Sequence, residues 1–100
     1  MATVGLPSFA VHPGEILVEE FMKPMGITQK ALADHLGVSF RRINEICRGR
    51  RSVTADTALL LSKAFGTSAQ LWMNIQNTYD LVIAKKSAKL GCVKPFKQSA

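Results

Sequence analysis

The chain has 100 residues, 47% of them hydrophobic, enough for one compact domain with a small core and too few for two. A formal net charge of +6 and a pI of about 9.8 suit a polyanionic partner without separating DNA from RNA or an anionic membrane surface. No eighteen apolar residues run together, and the opening MATVGLPSFAVHPGE lacks the basic start and continuous apolar stretch of a signal peptide, so the chain is expected to be soluble and cytoplasmic.

Residues 1–11 read as a flexible N-terminal arm, 12–84 as the folded domain and 85–100 as a basic, disordered tail. A first helix is predicted from Pro13 to Lys23, with Pro in the first turn, Glu15, Glu19 and Glu20 placed early, Ile16, Leu17 and Phe21 as its apolar stripe, and Pro24 then Gly26 as its stop. Thr28 caps the second, with Ile27 positioned to staple onto Leu32, and Leu36 ends it before Gly37. Ser39 caps the third, with Val38 stapled onto Ile43, and the helix runs to about Arg48 before Gly49. The fourth starts at Thr54, carries Ala58, Leu61 and Phe65 on one face and stops at Gly66. The fifth starts at Ser68 and runs to about Ala84; its Leu71, Trp72, Ile75, Tyr79, Val82 and Ile83 exceed what one core-facing stripe requires. No segment alternates with period two, so an all-α, five-helix domain is expected.

The informative constellation is QKALADHLGVSFRRINEI, Gln29 to Ile46. Two helices that cross closely need a small residue where they meet and a left-handed residue to turn, and Ala33 and Gly37 fill those places in a helix-turn-helix. On the third helix Ile43, Ile46 and Cys47 form one face, while Arg41, Asn44, Glu45 and Arg48 recur on the opposite one, a polar stripe shaped for a major groove. Every arginine of the chain lies between Arg41 and Arg51, and guanidinium is the side chain best matched to phosphate and guanine edges.

The run from His12 to Leu81 resembles the HigA family of antitoxins, within the Xre, or phage-repressor-like, helix-turn-helix group. Its more specific parts are HPGE before the first helix, GRR then TADTAL after the third, and FGTSAQLWMNIQNTYDL at the end. The resemblance implies a lambda-repressor-like domain that dimerises, binds double-stranded operator DNA, represses its own operon and pairs with a HigB-type mRNA-cleaving toxin. It departs from the family at Phe40, Arg41 and Arg42, a bulky and doubly basic tip, so an operator sequence does not carry over.

Matched to the phage-repressor pattern, Gln29 falls at a phosphate-reaching position at a helix start. Phe40, Arg41 and Glu45 fall at base-facing positions, suited to a thymine methyl, guanine O6 and N7, and cytosine N4, with Asn44 a fourth candidate. Glu45 has a second reading, an ion pair that orients Arg41 four residues earlier, and Phe40 has one too, folding back on Ile43 or Asn44. Arg42, Arg48, Arg50, Arg51 and the cap residue Ser39 are assigned to phosphates. Leu59 and Leu60 with Leu71, Trp72, Ile75, Tyr79 and Ile83 are the candidate dimer interface, Trp72 and Tyr79 having a second reading as core residues.

Other classes find little support. There is no glycine-rich phosphate loop, no evident carboxylate pair and no nucleophile matched to a histidine, so no enzyme is expected. His12 and His35 lack partners at ligand spacing and read as capping or surface residues, and no metal or cofactor is expected. Cys47 reads as a small core residue, unpaired with Cys92. The tail lysines, Lys85, Lys86, Lys89, Lys94 and Lys97, suit nonspecific DNA contact better than a basic toxin, which leaves the arm or the helical body to meet one. A stand-alone repressor of the same fold, without a toxin, is the alternative, and nucleoid association is expected of either when bound to DNA.

Overall fold

The structure, a computed structural model, describes residues 9–97, so most of the expected arm and the end of the tail lie outside the described residues. The first helix is α-helical over Pro13–Ile16, π-helical over Leu17–Met22 and α-helical again over Lys23–Met25, together α1 (13–25). It is followed by α2 (Gln29–Leu36), α3 (Phe40–Cys47), α4 (Ala55–Phe65) and α5 (Ala69–Ser87), with a 3-10 turn at Leu90–Cys92. Among the described residues there is no strand, as expected for an all-α, five-helix domain, and no helix is long and apolar enough to cross a membrane.

The caps follow from short polar side chains bonding first-turn amides that no helix satisfies internally. Thr28 Oγ1 accepts from Ala31 N at 3.1 Å, Ser39 Oγ from Arg42 N at 3.1 Å and Ser68 Oγ from Leu71 N at 3.0 Å. Between α2 and α3 the chain turns through Gly37 at φ 73°, a conformation that a Cβ disfavours. There Val38 N donates to Ala33 O and Gly37 N to Asp34 O, so the turn also satisfies the last carbonyls of α2.

Two boundaries differ from the sequence expectation. Pro24 does not end α1, because the π-helical stretch before it has shifted the register, with Lys23 N donating to Val18 O; the chain turns one residue past Met25, at Gly26. α5 continues past Ala84 to Ser87, closed by Ala88 N bonding Ala84 O; lysines are good helix formers and favour the negative C-terminal end.

Leu17, Leu32, Ile43, Ile46, Ala58, Leu61 and Trp72 are fully or almost fully buried and form one core to which every helix contributes. Phe21 packs at its edge, ring centroids 4.9 Å from Phe65 and 5.5 Å from Trp72. The helix-turn-helix therefore sits on a platform made by α1, α4 and α5.

Candidate nucleic-acid interface

α3 is polarised by its own sequence. Ile43 and Ile46 anchor it with no exposed surface, leaving Phe40, Arg41, Glu45 and Arg48 on the other side. Phe40 is 52% exposed at the tip, and the Arg41 side chain is 82% exposed one residue later. The Ser39 hydroxyl accepts from Arg42 N, which leaves its own hydrogen available to an incoming oxygen.

Polar side chains on this side pair in three groups. Glu45 accepts from Arg41 Nε through Oε2 at 3.2 Å and from Arg51 Nε through Oε1 at 2.8 Å, with Arg51 Nη2 in ion-pair contact 2.7 Å from Oε1. Those bonds, Arg51 first and Arg41 second, hold the Glu45 carboxyl below its ordinary range. Asn44 Nδ2 donates to Gln29 Oε1 at 2.9 Å, joining α3 to the first residue of α2 and leaving the Gln29 amide N–H groups to face outward partners. Arg42 Nη1 reaches Asp56 Oδ2 at 3.3 Å, tying the start of α3 to the start of α4. Asp56 is lowered mainly by the hydrogen bond from the Thr54 hydroxyl, with the Arg42 charge a lesser cause. Arg48 and Arg50 are exposed and make no ion pair among the described residues.

Behind α3 lies a second constellation that the sequence displayed only as motifs. His12 Nδ1 caps α1 by accepting from Gly14 N at 2.9 Å, and its ring stands edge-on to Tyr79 with centroids 4.9 Å apart. Burial pushes the His12 imidazole below its ordinary value, against the opposing pulls of the Arg51 backbone, Asp80 and Glu15. Gly14 passes so close to α3 that a Cβ there would lie 1.9 Å from the Ile46 carbonyl oxygen. Gln76, buried on α5, accepts from Val53 N at 2.7 Å and donates to Asp80 at 2.9 Å, fixing the loop that carries Arg50 and Arg51. HPGE, GRR and the Q-x-x-Y-D run thus meet in space. Gln76 was missed as an individual position, and its only signal was its place in the terminal motif.

The candidate dimer residues divide. Trp72 is a correction: its side chain has no exposed surface, its ring packs against Phe21, and its indole N–H is taken by Thr67 Oγ1 at 2.8 Å, so it belongs to the protomer core. Leu71 and Ile83 are exposed on α5, and Tyr79 is half-buried against His12. Ile75 lines an apolar groove with Phe9, Val11 and Ile16. Leu59 and Leu60 line a different groove, with His35, Leu36, Lys63 and Ala64 between α2 and α4. Cys47 lies half-buried, its thiol 3.8 Å from Met22 Sδ and pushed up by burial, while Cys92 is free and exposed.

Residues 18–72 match a family model described as helix-turn-helix. Over 77 residues the chain is 57% identical to virulence-associated protein I of Dichelobacter nodosus, covering 77% of this chain and 71% of that one. It is 42% identical over 71 residues to antitoxin HigA-1 of Vibrio cholerae, covering 71% and 67%. Among solved structures it is similar to the Pseudomonas aeruginosa antitoxin HigA with higBA promoter, at 39% identity and a TM-score of 0.84, covering 89% of this chain and all of that one.

Proposed function

The chain belongs to the HigA family of antitoxins, within the Xre group of helix-turn-helix proteins, and from that membership we propose that it represses its own operon and neutralises a HigB-type toxin. It does the first as a homodimer on double-stranded operator DNA, in the cytoplasm and at the nucleoid. The observation that carries the DNA half is the placement of Phe40, Arg41 and the four other arginines on and just beyond the outward side of α3.

The N-terminal residues of α3 enter the major groove, where Phe40 meets a thymine methyl and Arg41 a guanine edge. Gln29, Ser39, Arg48 and Arg50 hold phosphates on either side, aided by the first-turn amides of α2 that the Thr28 cap leaves free. Arg42 and Arg51 reach phosphates with the donors that Asp56 and Glu45 leave free. Two such helices must lie one duplex turn, about 34 Å, apart to read a palindrome, and the apolar side of α5, with exposed Leu71 and Ile83 and half-buried Ile75, supplies the seam.

Two measurements test the two halves. Fluorescence anisotropy with the duplex upstream of the gene should show tight binding that competitor DNA does not remove; equal affinity for unrelated DNA defeats the operator claim. A tagged chain expressed from its native locus should bring down a stoichiometric small basic protein that arrests growth when made alone. Recovery of the homodimer only, with harmless deletion of the gene, defeats the toxin claim and leaves a stand-alone repressor.

A further inference from the structure

Resting on the DNA-binding reading, we propose that Glu45 is a positioning residue: its carboxylate presents the Arg41 guanidinium to a guanine and does not itself read a base. The geometry divides the donors of Arg41 into two sets. Nε is spent on Glu45 Oε2, and Nη1 and Nη2 make no hydrogen bond among the described residues. Two terminal N–H groups side by side are what the O6 and N7 acceptors of guanine take, so the bond to Glu45 selects an end-on presentation of Arg41.

The carboxylate itself is already engaged at both oxygens. Oε2 accepts from Arg41 and Oε1 from Arg51 Nε, with Arg51 Nη2 beside it, and the Glu45 side chain is only 26% exposed where that of Arg41 is 82% exposed. A cytosine amino group would have to share the carboxylate with two guanidinium groups, whose charge-assisted bonds hold it more strongly than a neutral amine can. Arg51 comes from the loop beyond α3, so one carboxylate ties the loop to the base-facing tip. With that charge removed, two guanidinium groups would face each other across the vacated position, and Arg41 would swing among its rotamers.

The test is enrichment of binding sites from a pool of random duplexes with the full chain and its Glu45→Gln and Arg41→Ala variants, each first shown by circular dichroism to be folded. The wild type should enrich a site with a preferred guanine that Arg41→Ala loses. Glu45→Gln should weaken the preference at that same guanine by on the order of tenfold. Its affinity for unselected DNA should rise, because the variant carries one more net positive charge. If Glu45→Gln alters a different base pair and leaves the guanine of Arg41 intact, Glu45 reads a base and the proposal falls. It falls equally if Glu45→Gln changes no position. Enrichment of no sequence by the wild type removes the DNA-binding reading and the proposal together, an outcome distinct from either of those.

Discussion

The two sides of α3 are built on opposite principles. On the outer side Arg41 and Glu45 are joined by surface ion pairs, while Phe40 and Arg48 are exposed and make none among the described residues, so each side chain can be exchanged with little consequence for the fold. Behind the inner side the packing is closely fitted: a glycine lies against the Ile46 carbonyl, a histidine caps α1, and a buried glutamine takes a loop amide. Sequence specificity can therefore drift on one side while the pose of α3 stays fixed by the other.

The sharpest way to break this contrast is Gly14→Ala. A methyl carbon 1.9 Å from the Ile46 oxygen forces α1 away from α3, and the loss should reach or exceed the upper end of about 1–3 kcal/mol for overpacking in urea unfolding. An unchanged midpoint would show that α1 slides freely. Next is Gln76→Ala, which strands the Val53 amide in the interior and should cost roughly 1–3 kcal/mol by the same measurement.

A smaller effect comes from acid. Burial keeps His12 less basic in the fold than in the unfolded chain, whose imidazole titrates at about 6.5. The unfolded state therefore binds the proton first as pH falls. The contribution of His12 is complete above that value and is lost as pH drops through the lower folded-state value, where protonation at Nδ1 would displace the Gly14 amide. Unfolding midpoints between pH 7.5 and 5 should slope downward in the wild type and less steeply in His12→Asn, which retains a capping side chain; parallel slopes would absolve His12. The smallest effect on the fold is that of Arg50→Ala, which should leave the thermal midpoint unmoved. Its salt titration of DNA binding should lose about 0.9 from the slope, with all sequences weakened alike.

Much of the outer side was legible in the sequence because it is local. Caps, the turn at Gly37 and the two faces of α3 all depend on residues within about four positions of one another. The inner side depends on pairs far apart in the chain: Gly14 with Ile46, His12 with Tyr79, Val53 with Gln76. Periodicity carries no information about such meetings, and only the motif resemblance marked the positions. Trp72 was misplaced for a related reason: a helix apolar around most of its circumference does not say which stripe its neighbours cover. Pro24 was read as a stop because a proline rule assumes α-helical register, which the π-helical stretch of α1 does not keep.

The brevity of α3 sets an informational bound. Eight residues make a helix about 12 Å long, and a duplex climbs about 3.4 Å per base pair, so one copy can lie beside roughly three or four base pairs. A four-letter word recurs by chance about every 256 base pairs, hopelessly common in a genome of about a million or more, whereas two such words at fixed spacing recur about every 65,000. A reader this short can address a promoter only by spelling its word twice.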